Sequence, residues 1–300
     1  MINRKICLVG IGKFGKKYFH EIINFKNLHL SCILRKNLNQ LKYKSIPVKK
    51  FNYNLKLDKF DLAVIASPVE SHYINAQYFL SKNIPIILEK PATRSLKEIN
   101  KLILISKKNK VPVLVHHSDL YNKNLIKLNN IKRKIGKIKK LQVKINTFQK
   151  YQKGRINPFF DWLPHILAML DTFIDIDGKY LIIKNKNKNS KINIEILLQN
   201  KDKQEAIIKF CNFSNKKQRF IKVFGNNGII QYDGYNLNKN FLKTNKTKVF
   251  SKIKTSSIKE ILKYMKKNLA NGKYINELHL SKKILKCKLK IQKLNLFDKI

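Results

Sequence analysis

The sequence predicts an α/β protein in two parts: a doubly wound parallel sheet over residues 1–118, then an α+β domain over 119–300 whose open sheet is largely antiparallel. Three observations carry this expectation. Short, near-continuous apolar runs alternate with helix-sized amphipathic stretches up to about residue 118, the grammar of βαβ units buried on both faces. A G-x-G-x-x-G string sits where the first run gives way to the first helix. Beyond residue 119 the order changes to two helices around a long strand, followed by consecutive β-rich segments.

In the first part, Ile6–Val9, Leu30–Leu34, Leu62–Ala66, Ile84–Leu88 and Val111–Val115 read as strands. Lys13–Phe25, Ser71–Ser81 and Ser95–Lys108 read as the helices between them, the last opened by a Ser95/Glu98 capping box. In the second part, Leu120–Lys134 reads as a helix, Ile138–Phe148 as a strand and Leu163–Phe173 as a helix. Strands are then expected at Tyr180–Ile183, Ile192–Leu198, Ala206–Phe213, Phe220–Phe224 and Gly228–Tyr232, with Asn226-Asn227-Gly228 and Asp233-Gly234 marking turns. Lys184–Lys191 reads as a solvated Lys/Asn loop. Helical sequence closes the chain from about Ser256. At its end a strand-like alternation (Leu285, Cys287, Leu289, Ile291) competes with a 4-3-4-3 spacing through Leu280, Ile284, Cys287, Ile291 and Leu294, and the longer pattern favours helix.

The chain carries 64 Lys+Arg against 18 Asp+Glu, a formal net charge of +46. Only six of those basic residues are Arg, and the lysines are spread over nearly every segment beside abundant Asn and Ile. That is compositional bias and not a selected phosphate-binding face, so no specific nucleic-acid partner is expected. Apolar runs of five to seven residues fall far short of a membrane span. The N-terminal apolar stretch breaks at Gly10 and Gly12 and does not read as a signal peptide, so a cytoplasmic protein is expected. Cys7, Cys32, Cys211 and Cys287 are widely spaced with no histidine at ligand spacing, which argues for reduced thiols and against a bound metal.

Three strings carry chemistry. In Gly10-Ile11-Gly12-Lys13-Phe14-Gly15, Gly10 permits the tight turn, Gly12 a close backbone approach to a pyrophosphate, and Gly15 close packing of helix on strand. Helix-start amides would then hold the phosphates of a dinucleotide. In Ile86-Ile87-Leu88-Glu89-Lys90-Pro91, a buried strand delivers two charged residues to its C-terminal end, where open α/β sheets bind ligands. In the segment Phe160–Asp171, Leu163, Ile166, Leu167 and Leu170 fall on one apolar helix face, while His165 and Ala168 lie opposite. A histidine so placed faces either solvent or a site. Asp161 stands four residues before His165; with Pro164 in a first helical turn, Asp161 would instead be near the N-cap.

Together these strings, with the Ala66-Ser67-Pro68 turn, His72 and the junction Val115–Asn122, resemble the glucose–fructose oxidoreductase/inositol 2-dehydrogenase (Gfo/Idh/MocA) family over the first 175 residues. The resemblance implies an N-terminal Rossmann domain, a C-terminal domain whose open sheet serves homo-oligomerisation, and NAD(P)-dependent oxidation or reduction of a sugar, nucleotide sugar or polyol. It makes Lys90 the lysine that holds and polarises the substrate oxygen, Asp161 a substrate-contacting carboxylate and His165 the acid/base. Gly10, Gly12, Lys13, Phe14, Gly15, Arg35, Ser67, Pro68, His72 and Glu89 fall to cofactor binding. The chain departs from the family pattern at Ile166, where an acidic residue often stands, and in having no Arg after His117.

The expected second strand ends in Arg35-Lys36-Asn37, with no acid to bind a ribose 2′-hydroxyl. A guanidinium there suits a 2′-phosphate, which favours NADP over NAD. The other reading of the same chain is a cofactor-binding protein without turnover, since a fold does not by itself give a function; the joint presence of Lys90, Asp161 and His165 speaks for an enzyme.

Overall fold

The computed structural model describes residues 3–37, 41–53, 60–148, 157–188 and 190–294. The chain divides into two compact units, Met1–His116 with Ser256–Lys282, and His117–Thr255 with Lys283–Ile300.

The first unit is built from β1 (Arg4–Val9), α1 (Lys13–Ile23), β2 (Leu28–Arg35), β3 (Lys42–Tyr43), β4 (Ile46–Lys50), β5 (Leu62–Ile65), α2 (His72–Ser81), β6 (Ile86–Glu89), α3 (Leu96–Asn109) and β7 (Val113–His116). The sheet order is β3-β4-β2-β1-β5-β6-β7, with every pairing parallel except β3 with β4. Strand order therefore reverses direction at β1, placing a switch point where α1 begins. All four residues of β5, β6 and β7 are buried, as two-sided cover requires. The capping box opens α3: the Glu98 amide donates to Ser95 Oγ at 3.2 Å and the Ser95 amide to Glu98 Oε2 at 3.1 Å. Cys7 and Cys32 are buried register partners on β1 and β2, and all four cysteines are free thiols. The β3–β4 pair was not legible in the sequence, because its turn places Lys44 and Ser45 at positive φ where Asn-Gly is the usual signal.

The second unit contains α4 (Lys123–Asn130), β8 (Ile138–Phe148), α5 (Pro158–Asp171), β9 (Gly178–Lys188), β10 (Lys191–Asn200), β11 (Glu205–Cys211), β12 (Phe213–Gly225), β13 (Gly228–Asp233), β14 (Phe241–Thr244) and β15 (Lys248–Phe250). Its sheet runs β15-β14-β13-β12-β8-β11-β10-β9, antiparallel except for β8 with β11. Alternate residues Ile192, Ile194, Ile196 and Leu198 are buried, and α5 packs against β8 and β11 on the covered face. The chain then forms α6 (Ser257–Ala270) and α7 (Leu278–Gln292), so the tail is helical as its longer spacing indicates.

Several expectations are corrected. The helix expected from residue 120 begins at Lys123, because His117–Asn122 form turns and Asn122 caps the helix through the Asn124 amide at 2.9 Å. It ends at Asn130, before a separate 3₁₀ turn at Lys132–Ile135. The helix expected at 163 begins five residues earlier: Asn157 caps it, Pro158 takes the first position, and Pro164 lies inside it. Asp161 is thus in the first helical turn and is not the cap. The Lys/Asn segment 184–191 is largely strand, its backbone paired across β9 and β10; residue 189 lies outside the described residues. Backbone pairing needs no apolar side chains, which reconciles the composition with the ladder. The run 206–213 divides at Asn212, whose side chain accepts from the Ile192 amide at 2.7 Å, and Phe213 starts the next strand.

A second domain continuous over 119–300 does not describe the packing. Residues 256–282 return to the first unit, where the Val113 amide donates to Ile275 O, the Glu277 amide to Val113 O, and the Val115 amide to Glu277 Oε2.

Candidate active site

In the first unit, the glycine string has the shape its spacing implies. Gly10 adopts φ +91°, and a Cβ there would stand 2.8 Å from Ser67 Cα. A Cβ on Gly15 would stand 2.2 Å from the Gly10 carbonyl oxygen, so the helix touches the turn through bare backbone. A Cβ on Gly12 would meet nothing within 4 Å. Gly12 caps α1 without a side-chain hydrogen bond, and no acidic residue stands in the first turn. The amides of Lys13 and Phe14 therefore head an uncapped helix beside open space, which fits a dinucleotide pyrophosphate. Arg35 closes β2, half-buried, with no carboxylate beside it in sequence.

Ser67, Pro68 and His72 form one clamp. Ser67 Oγ accepts from Asn75 Nδ2 at 3.0 Å and from Ser71 Oγ at 2.9 Å. The His72 ring, 2% exposed, bridges the Ser67 and Pro91 carbonyl oxygens at 2.8 Å each. It thereby ties the loop against Gly10 to the loop that follows Lys90. Glu89 is held elsewhere: its carboxylate accepts from His116 Nδ1 at 2.7 Å, and His116 Nε2 meets Ser257 Oγ at 3.1 Å. Burial would raise the Glu89 carboxyl, but His116, Tyr18 and the Lys90 charge outweigh it and hold it below its ordinary value. Lys90 is half-buried at the end of β6, immediately beyond this fixed pair.

In the second unit, α5 and the turn after β7 bring together residues distant in sequence. His165 Nδ1 lies 3.4 Å from Asp119 Oδ2 and 3.4 Å from Ser118 Oγ. Asp119 is 1% exposed; its Oδ1 accepts from the Tyr232 hydroxyl at 3.0 Å and lies 3.5 Å from Arg219 Nε. The Arg219 guanidinium sits over the rings of Tyr235 at 5.1 Å and Trp162 at 6.0 Å, and the Trp162 ring lies tilted 5.4 Å from that of His165. Burial alone would raise the Asp119 carboxyl; Arg219, His165 and Tyr232 overcome it and bring it down to about 2. The face of α5 opposite the apolar stripe is not solvent, for Ala168 is 1% exposed. His165 therefore faces a built, charged cluster.

Asp161 is half-buried one turn before His165. Asp119, Arg219, Trp162, Tyr232 and Tyr235 were missed as site residues. Asp119 appears in the sequence only as part of the junction after β7. Arg219 offered one usable signal, its residue type: an arginine is rare in this chain and lysine is the compositional default. Among the described residues no group of three or more His, Cys, Asp or Glu could hold a metal ion, and no helix is long and apolar enough to cross a membrane.

The fold and these two constellations define a class: a doubly wound α/β unit with a glycine-rich strand-to-helix turn, in one chain with a mixed-sheet unit that carries a charged histidine cluster. Residues 4–117 match the Gfo/Idh/MocA oxidoreductase family, described by its NAD-binding Rossmann fold. An Escherichia coli (strain K12) protein described as an uncharacterized oxidoreductase, YgjR, is 30% identical over 111 residues, a stretch that spans 34% of this chain and about a third (34%) of that relative's length. Solved structures match nearly end to end. The UDP-N-acetylglucosamine 3-dehydrogenase GnnA from Acidithiobacillus ferrooxidans is 13% identical, with a TM-score of 0.82 and 98% of each chain covered. An oxidoreductase from Agrobacterium radiobacter, solved with NAD+, L-tartaric acid and magnesium, is 17% identical, with a TM-score of 0.81 over 96% of this chain and 95% of its own. A myo-inositol dehydrogenase from Corynebacterium glutamicum ATCC 13032 is 14% identical, with a TM-score of 0.78 over 96% and 95%. At these identities the likeness is one of fold.

Proposed function

We propose that the protein is an NAD(P)-dependent oxidoreductase acting on a hydroxyl or carbonyl carbon of a sugar, nucleotide sugar or polyol. The observation that carries this reading is the His165 cluster: an imidazole fixed on a helix beside a buried, ionised carboxylate, in a chain whose other unit is an NAD-binding Rossmann domain. The nicotinamide, when bound, accepts or donates the hydride. In the oxidation direction the substrate hydroxyl loses its proton to His165, and the carbon–oxygen bond becomes a carbonyl as the carbon gives up its hydride. Lys90 holds and polarises the substrate oxygen, and Asp161 contacts a neighbouring substrate group. Gly10, Gly12 and Gly15, the Lys13 and Phe14 amides and the Ser67–Pro68 loop that His72 and Asn75 fix would hold the dinucleotide.

Within this reading NADP is preferred, since Arg35 ends β2 where a carboxylate would repel a 2′-phosphate. Homo-oligomerisation through the open sheet is supported by Leu181 and Ile183 of β9, 58% and 54% exposed. A cytoplasmic setting is supported by the four free cysteines. The test is a panel of nucleotide sugars and polyols assayed with both nicotinamide cofactors by the absorbance of the reduced form. Turnover with one substrate class and a higher kcat/KM for NADPH than for NADH is expected, and Arg35→Ala should reduce that ratio. Dinucleotide binding without turnover on any substrate would favour a silent binding protein instead.

A further inference from the structure

We propose that Asp119 is the positioning residue that fixes His165 in the tautomer protonated on Nδ1, leaving the Nε2 lone pair to exchange the proton with substrate. The proposal rests on the reading of His165 as acid/base, but its structural part can be tested without turnover.

Two oxygens face His165 Nδ1 at 3.4 Å, and they differ in what they allow. Ser118 Oγ can donate or accept, so by itself it would permit either tautomer. An ionised carboxylate only accepts. Asp119 is 1% exposed, and of its two oxygens Oδ1 is occupied by Tyr232 and faces Arg219, whereas Oδ2, the one 3.4 Å from the imidazole, is buried without a formed hydrogen bond. A lone pair on Nδ1 pointing at that oxygen would repel it, and a proton on Nδ1 satisfies it. The 3.4 Å separation is long, as catalytic hydrogen bonds often are before substrate binds. The surroundings keep the acceptor charged: Arg219 lies beside Asp119, its guanidinium over the rings of Tyr235 and Trp162, and Tyr232 donates to Asp119. Gly234 makes room for this guanidinium, since a Cβ there would fall 2.3 Å from Arg219 Nε. When His165 takes up the substrate proton on Nε2, the Nδ1–H remains on the carboxylate, which offsets the new charge and keeps the ring from turning.

The experiment is long-range ¹⁵N–¹H correlation NMR of the histidine ring nitrogens in the full chain at neutral pH, with His165→Asn identifying the signal, alongside kinetics of the same proteins. The wild type should show the Nδ1–H tautomer. Asp119→Asn should lose that preference and lower kcat by roughly 10²-fold or more, with dinucleotide affinity retained. Because Asp119→Asn leaves Arg219 buried without its counter-charge, Asp119→Asn/Arg219→Met removes both charges and should show the same loss of tautomer. A wild-type ring protonated on Nε2 would overturn the proposal without any variant. So would an unchanged tautomer in Asp119→Asn or in the double variant, or a change produced by Asp161→Asn alone. If His165→Asn keeps wild-type turnover while the tautomer results hold, it is the acid/base reading that fails and not the orientation.

Discussion

Gly12 and Gly15 stand three residues apart in one string, yet the structure gives them different duties. Gly15 is bare because a side chain would collide with the Gly10 carbonyl, while Gly12 borders open space. Gly15→Ala should therefore lower both thermal stability and dinucleotide affinity, whereas Gly12→Ala should leave stability within about 1 kcal/mol and weaken the dinucleotide alone. Thermal melts with and without NAD(P) separate the two outcomes; equal loss of stability in both variants would refute the distinction. Asp119 supplies a pH dependence. Its carboxyl is held at about 2 against an ordinary 3.8, so its stabilising contribution is complete above about pH 4 and is lost as the pH falls through about 2. The difference amounts to roughly 2 kcal/mol. Urea unfolding followed from about pH 5 down to about pH 2 should show a steeper loss for the wild type than for Asp119→Asn/Arg219→Met. Parallel curves would contradict the assignment. At this scale the sequence was legible where a residue type is itself the constraint, as with the glycines. It was silent where the histidine cluster comes from long-range pairing: nothing near Asp119 indicates that Tyr232 and Arg219, about a hundred residues on, will hold it.

Elements with local signals were legible, and elements defined by partners were not. The capping box of α3 lies within four residues, and both of its hydrogen bonds are present. Ser95→Ala should cost about 1 kcal/mol of stability by chemical denaturation, and a loss much smaller than that would mean the cap contributes little beyond solvent. By contrast, Pro164 reads as a helix start, but Asn157 and Pro158 supply a stronger one and burial of Leu163, Ile166, Leu167 and Leu170 carries the helix through the proline. That extra length places Asp161 and His165 on one helical face. The Lys/Asn strand end at 184–188 shows the same limit, because its pairing comes from the β10 backbone and not from apolar side chains.

For the whole molecule, the composition gave a net charge of +46 and the arrangement gave it a context. The N-terminal boundary near residue 118 was visible as a change of pattern, whereas the return of α6 to the first unit was not, since amphipathic helices carry no mark of which sheet they will join. The open sheet of the second unit exposes Leu181 and Ile183 at its β9 edge. Leu181→Lys/Ile183→Lys should convert a homo-oligomer to monomers in light scattering while the fold persists; a monomeric wild type would remove the open sheet as an assembly surface. The proposed function requires Lys90 and His165 to act on one substrate with a nicotinamide cofactor. Its most direct test is steady-state turnover of wild type, Lys90→Met and His165→Ala on the nucleotide-sugar and polyol panel, with cofactor affinity measured in parallel. A fall in kcat of roughly 10²–10⁴-fold in each variant, with dinucleotide binding nearly unchanged, is the predicted result. Wild-type turnover in either variant would contradict it.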